Sequence, residues 1–323
     1  MAYPIDIKER VLLGDLRQTV HIWGTDAENP VLLFLHGGPG VTNRDSIIRN
    51  HSDLFADFTV VAWDQRGTGG SYFGCRSDTL TLQRLVKDCA ELIDWLCERL
   101  DKRGVFLLGG SWGTELGTFV CRDYPDKVAG YVGYGQVVNG VENEKRSYAY
   151  AMKMAKDAGD EKSVAELERV GPPIQGQYQP VFEGLMTQRR ILSKYGGHTV
   201  KKESYLMGTV LPILTSRELT PAEKYGVAKG YKLCLSCMWP TIVRYDFITD
   251  CGEFKMPYYI FQGRHDENTP ASLIQEYYDS ITAPDKALVW FEASAHGPLG
   301  EEPEKFKALL REKLLPIAKG ASL

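Results

Sequence analysis

Apolar residues along this chain fall into two arrangements. Short unbroken runs recur at Val31–Leu35, Thr59–Trp63, Val105–Leu108, Val128–Tyr134, Pro257–Gln262 and Ala287–Phe291, each flanked by polar or glycine-rich sequence. Runs of this length between turn residues predict strands buried on both faces. At Leu82–Leu100 and Trp112–Tyr124 the apolar positions change to helical spacing. Strands alternating with helices predict a parallel sheet covered by helices, the α/β class. Ahead of them, Arg10–Leu13 and Thr19–Trp23 predict a short antiparallel start.

The alternation stops near Gln136-Val137-Val138-Asn139-Gly140 and does not resume until about Asp250. In between, Glu144–Ala158 and Lys162–Val170 are helix-like, and Gly171-Pro172-Pro173 and Gly196-Gly197 are breaks. The expected organisation is a catalytic domain formed by 1–139 and 251–323, with a helical cap, 140–250, inserted into it. With 323 residues, 43% of them hydrophobic, the chain can bury a large core and a second module.

Composition removes several classes of function. The 38 basic and 42 acidic residues give a net charge of −4 with no basic stripe, so no nucleic-acid partner is expected. The first ten residues lack an apolar stretch, and no run reaches the roughly 18 apolar residues that span a bilayer, so neither a signal peptide nor a membrane anchor is expected. The seven cysteines form no disulfide-scaffold pattern, and Cys234-Leu235-Ser236-Cys237 reads as reduced core thiols. A cytoplasmic location follows by default. Oligomeric state is left open.

The candidate chemistry begins where one strand ends. Val105–Leu108 runs into Gly109-Gly110-Ser111-Trp112-Gly113, a G-x-S-x-G pattern, and a helix follows that stops before Pro125. This spacing serves a sharp strand-to-helix turn that projects one side chain, with glycines leaving room for the crossing chain. Ser111 is therefore the candidate nucleophile. A hydroxyl needs a base, and the base an orienting acid, in the chain order Ser, Asp or Glu, His. Of the six histidines, His296 fits best, because it follows the run Ala287–Phe291 at the opening of a loop. His265 is the rival base, but it sits beside Asp266 right after a strand, where the acid is expected. Asp266 is read as the orienter, with Glu267 as a weaker substitute. Val31–Leu35 ends in His36-Gly37-Gly38-Pro39-Gly40, a tightly bent loop whose amides can face one space and, with the amide of Trp112, hold an oxyanion. His36 is read as fixing that loop. No phosphate-loop pattern is present.

Five segments together resemble the proline iminopeptidase branch of the α/β-hydrolases: His36-Gly37-Gly38-Pro39-Gly40, Asp64-Gln65-Arg66-Gly67-Thr68-Gly69-Gly70-Ser71, Gly109-Gly110-Ser111-Trp112-Gly113, Gly263-Arg264-His265-Asp266 and Ala295-His296-Gly297. The resemblance covers roughly two-thirds of the chain. It implies an α/β-hydrolase fold, a mostly parallel central sheet flanked by helices with an inserted helical cap. It also implies a catalytic triad of Ser111, Asp266 and His296 and an oxyanion hole from the backbone of Gly38 and Trp112, with Asp64, Gln65 and Arg66 as scaffold. Such chemistry requires neither a metal nor an organic cofactor.

Aminopeptidases of that branch hold the substrate's free amine with cap carboxylates, often beside a Trp-Glu pair. Here Trp239 is followed by Pro240, and no Trp-Glu dipeptide occurs. Glu142, Glu144, Glu183, Glu203 and Asp246 are the candidate amine binders, with Glu183 preferred because it follows an apolar pair at a helix start. Gly37 and Trp239 are the other candidate substrate contacts. The expected function is a serine hydrolase acting on a small molecule or short peptide, an aminopeptidase or amidase releasing small N-terminal residues. Two alternatives are a carboxylesterase or lactonase for a small hydrophobic ester, and a non-catalytic ligand receptor on the same fold.

Overall fold

The buried runs become the middle of one eight-stranded sheet. The computed structural model describes residues 3–201 and 211–321. The strands are β1 (Ile5–Leu13), β2 (Leu16–Gly24), β3 (Val31–Leu35), β4 (Thr59–Trp63), β5 (Val105–Gly110), β6 (Val128–Tyr134), β7 (Tyr258–Gly263) and β8 (Lys286–Phe291), in the order β1-β2-β4-β3-β5-β6-β7-β8. The pairs β1–β2 and β2–β4 are antiparallel, and all later pairs are parallel. Every residue of β3, β4, β5 and β7 is buried, as central parallel strands require, whereas edge strand β1 alternates between exposed and half-buried over its first six residues. The antiparallel start is longer than expected because β1 and β2 pair over nine residues, including polar positions that carry no apolar signal.

Successive side chains point to opposite faces, so the sheet supports two cores. Leu33, Leu35 and Leu107 face one layer, with α2 (Leu82–Leu100) and α3 (Trp112–Asp123), while Leu32, Phe34, Phe106 and Leu108 face the other, with α1 (Arg44–Asn50) and α12 (Pro303–Ala321). Between β6 and β7 the chain leaves the sheet through α4 (Gly140–Asp157), α5 (Glu161–Val170), α6 (Val181–Lys194), α7 (Leu211–Thr215), α8 (Pro221–Ile242) and α9 (Phe247–Asp250). Among the described residues this insertion contains no strand, only isolated bridges. The smaller helices α10 (Ile274–Ser280) and α11 (Pro298–Glu301) follow β7 and β8. No helix among the described residues is long and apolar enough to cross a membrane.

The long helix α8 starts in a capping box, where Thr220 and Glu223 satisfy each other's backbone amides. Glu223 also joins a charge network that ties the insertion to the sheet. Its Oε1 lies 2.9 Å from Lys8 Nζ and 2.8 Å from Arg44 Nη2, and Arg44, fully buried, lies 3.0 Å from the equally buried Asp64. Burial raises the Glu223 carboxyl, but the hydrogen bond from Lys8, the Thr220 amide and the Arg44 charge outweigh it and hold the group down at about 2.

A carboxyl depressed in the fold stabilises it above the usual value near 4.5, and that contribution drains away as pH falls toward about 2. Glu223→Gln should therefore lower Tm at neutral pH and flatten the fall of Tm over that acid range. Thermal unfolding followed by circular dichroism at several pH values tests this, and identical acid slopes for the two proteins would refute it.

Candidate active site

The C-terminal ends of β3, β5, β6, β7 and β8 all open toward one cavity of about 310 Å³, roofed by residues of α4, α6 and α8. In open α/β sheets such a crevice is where ligands bind. Ser111 stands at the turn from β5 into α3 with φ +54° and ψ −123°, a conformation an L-residue rarely holds. The turn is possible because α3 begins almost in contact with β3. A Cβ added to Gly113 would sit 2.0 Å from the Leu35 carbonyl oxygen. Across the cavity, the Cβ position of Gly37 lies 3.3 Å from Ser111 Cβ, so the His36–Gly40 loop forms a wall directly over the serine.

That loop is pinned by neighbours. The buried His36 has Nδ1 2.8 Å from the Gly37 carbonyl oxygen, and its Nε2 accepts from the Gln65 amide at 3.2 Å. Burial pushes the ring down to about 4, so it stays neutral. The Gln65 side chain donates to the His36 carbonyl at 3.3 Å and accepts from Trp112 Nε1 at 2.8 Å, linking the loop to the helix that carries Ser111. Arg66 forms a two-point ion pair with buried Asp88, at 2.7 and 3.1 Å. Gly38 and Trp112 both line the cavity. Among the described residues the N–H of neither has a hydrogen-bond acceptor.

Asp266 lies in the turn after β7 and is completely buried. Five donors compensate it: the Asn268 amide at 2.8 Å, the Thr269 amide at 2.9 Å, Thr269 Oγ1 and Gln262 Nε2 at 2.8 Å each, and His296 Nδ1 at 2.9 Å. Burial alone would raise its carboxyl, but the His296 charge and hydrogen bond and the Thr269 donors bring it below the usual carboxylate range. A carboxylate that stays ionised and holds Nδ1–H leaves Nε2 of His296 as the basic nitrogen. Among the described residues no hydrogen bond joins His296 to Ser111 Oγ. Nε2 instead accepts from Asn268 Nδ2 at 3.0 Å. Bonds of this kind are often long and tighten only when substrate binds.

Ser111, His296, Gly37, Gly38, Trp112 and Trp239 all line the cavity, but Asp266 stands behind His296. The other sequence candidates are dispersed. His265 is on the surface, its Nε2 3.1 Å from the Glu292 carbonyl oxygen, and Glu267 makes no hydrogen bond to His296 among the described residues. Glu183 is corrected outright. It lies on the outer face of α6, its carboxylate 55% exposed and 2.9 Å from Lys232 Nζ, and it is absent from the cavity wall. An apolar pair before a helix start does not say which face the third residue takes. Glu142 is tied to Lys145 and Arg146 on the outside, Asp246 caps α9, and Glu203 lies outside the described residues. Glu144 does line the cavity but is paired with Arg189.

Two cavity residues had no sequence signal strong enough to select them. The His198 ring lies beside that of His296, tilted by 35° with ring centroids 5.1 Å apart, and the His198 carbonyl accepts the His296 amide at 3.1 Å. Burial and the adjacent His296 push the His198 ring down to about 3, so it stays an uncharged wall behind His296. The other is Glu115, one turn into α3, buried and lining the same cavity.

A family model described as alpha/beta hydrolase fold matches residues 30–303. A Bacillus subtilis (strain 168) protein named probable aminopeptidase YbaC is 30% identical over 304 residues, 94% of each chain. A proline iminopeptidase of Heyndrickxia coagulans is 26% identical over 296 residues, 88% of this chain and 91% of that one. Among solved structures, a proline iminopeptidase-related protein from Thermus thermophilus superposes with a TM-score of 0.69 at 20% identity, covering 97% of this chain and 98% of that one.

The contact at Gly113 can be tested directly. Gly113→Ala forces a methyl group against backbone that cannot rotate away, and overpacking of this kind costs about 1–3 kcal/mol. The variant should show a lower Tm and slower labelling of Ser111 by a fluorophosphonate, since relieving the clash moves the turn. Parental values for both would disprove the role assigned to that contact.

Proposed function

The chain belongs to the α/β-hydrolase family, in its proline iminopeptidase-like branch, and from that premise we propose that this enzyme is a serine hydrolase with Ser111 as nucleophile, His296 as base and Asp266 as the acid that orients the base. The observation that carries the reading is the 2.9 Å contact between His296 Nδ1 and the five-donor carboxylate of Asp266, beside a cavity into which a strained Ser111 projects.

In this mechanism substrate displaces the Asn268 side-chain Nδ2 from His296 Nε2, and Ser111 Oγ takes its place. Oγ attacks the carbonyl carbon while its proton passes to Nε2. The carbonyl oxygen, now negative, is held by the N–H groups of Gly38 and Trp112, each worth about 3–4 kcal/mol of barrier. Asp266 stabilises the imidazolium. The leaving group departs with the proton from Nε2, and water repeats the sequence to free the acid. Helices α4 to α9 act as the cap that excludes water and selects the substrate.

The preferred substrate is an amide or short peptide with a small N-terminal residue, a reading supported by the names of the relatives that span nearly the whole chain. The apolar cap surface of Leu185, Met186, Leu235 and Trp239 favours a second reading, hydrolysis of a small hydrophobic ester.

Ser111→Ala should abolish fluorophosphonate labelling and lower kcat by about a million-fold, with His296→Ala comparable and Asp266→Ala nearer ten-thousand-fold. Turnover of aminoacyl-naphthylamides and p-nitrophenyl esters, with near-UV circular dichroism as the folding control, measures this. Near-parental turnover by the Ser111 variant would end the proposal. The same substrate panel decides between amide and ester.

A further inference from the structure

The cavity wall holds one carboxyl group that nothing among the described residues balances. Glu115 is 3% exposed, and its Oε1 has no hydrogen-bond partner. Burial pushes this carboxyl well above the ordinary range, with no counteracting charge or donor. The contrast with its surroundings is sharp, since buried Asp266 has five donors and buried Asp64 and Asp88 have arginines. Among the described residues no cation of the cavity is free to serve Glu115. Arg189 is taken by Glu144, at 3.0 Å through Nη1, and His36 and His198 are held neutral by burial. The cavity also presents the orphan amide oxygens of Asn43, Asn143 and Asn268, of which Asn143 Oδ1 belongs to a side chain 4% exposed.

A buried carboxyl without a partner is costly, and isolated charges in apolar surroundings are tolerated only when paired. Unpartnered acceptors in one cavity, one of them a carboxyl, form a receptor for a cation with several N–H donors. Position specifies the cation further. Ser111 caps α3, Glu115 lies one turn into the same helix, and both line this one cavity. The cation sought is therefore one carried by the same small molecule whose carbonyl carbon is held at Ser111.

We propose that Glu115 is the ammonium-recognising residue of this enzyme, binding the protonated amine of a substrate whose scissile carbonyl lies at Ser111, with Asn143 Oδ1 as a second acceptor. The assignment rests on the serine hydrolase reading and deepens its aminopeptidase branch. It moves amine recognition from the cap to the helix that carries the nucleophile, so the two groups are positioned by one rigid element. Arg189 then has a separate task, holding Glu144 so that it does not compete for the same amine.

The test compares alanyl-β-naphthylamide with its N-acetyl derivative on the parent and on Glu115→Gln. The parent should strongly prefer the free amine. In the variant the ratio of the two kcat/KM values should fall by about 10²-fold, the size expected for a broken buried ion pair, and mainly through KM for the free-amine substrate. A residue with only a structural role would not change that ratio. The variant's Tm should equal or exceed the parent's, because an isosteric amide replaces an unbalanced acid. Glu115→Met serves if the glutamine variant does not fold. Independently of any variant, n-propylammonium should protect parental Ser111 from fluorophosphonate far better than neutral 1-butanol does. An unchanged ratio, an equal rate on the N-acetyl substrate, or equal protection by amine and alcohol overturns the assignment while leaving the serine hydrolase reading intact. Labelling that survives in Ser111→Ala overturns both.

Discussion

The close approach of α3 to the end of β3 governs the geometry of the site. The first turn of the helix can lie against the Leu35 carbonyl only because position 113 has no side chain. From that contact follow the positive φ of Ser111, the placement of Trp112 at the cavity, and the position of Gly37 directly over the serine. The strain is local, but the restraint is distributed. Ser111 N–H donates to the Tyr134 carbonyl of β6 at 3.0 Å, and the Trp112 side chain is tied to Gln65. A conformation costing of order 1–3 kcal/mol persists when its surroundings determine it from several sides.

Buried charge is handled in two opposite ways within the same molecule. Around the site, carboxylates are compensated almost to excess: Asp266 by five donors, Asp64 by Arg44 and Thr42, Asp88 by Arg66, Arg84 and Gln18. Those networks fix loops whose backbone would otherwise wander, and breaking one member would strand a charge at a cost of about 3–5 kcal/mol. Glu115 departs from this pattern on the helix whose placement the chemistry depends on most. Natural proteins tend to violate their own packing rules at functional positions, and the rest of the fold supplies the stability that such a position withholds.

The sheet and the meeting of Ser111, Asp266 and His296 at one cavity were legible in the sequence for a common reason. Central parallel strands are buried on both faces, so Val31–Leu35, Thr59–Trp63 and Val128–Tyr134 show as unbroken runs whose ends coincide with the observed strands. The elbow and its glycines are a contact between residues close in sequence, and such contacts leave a short readable pattern. Helix α8 was not legible, because its 22 residues have almost no amphipathic periodicity and carry Pro240 near the C-terminal end, where few backbone bonds are lost. The direction of Glu183 was equally hidden. A helix start is readable, but the face turned to a distant cavity depends on a tertiary angle that local sequence does not encode. Glu115 was passed over because a carboxylate in a helix ordinarily reads as a solvated face. The signal that could have found it is context. Trp112 to Cys121 lies between the nucleophile and the next strand, where the helix is buried throughout, and an acid at its centre has no water to face.

Selectivity and chemistry in this cavity depend on the same exclusion of water. Amides that stabilise an oxyanion, and a carboxylate that recognises an ammonium, both gain strength as the local dielectric falls. The insertion supplies that exclusion through apolar side chains such as Leu185, Met186 and Trp239, while its cavity-lining Glu144 and Arg189 neutralise each other. The demanding geometry is then concentrated where it is easiest to hold, on the rigid strand ends and the first turns of α3. This division accounts for a cavity whose strand-end segments stand out in the sequence while the surface above them does not.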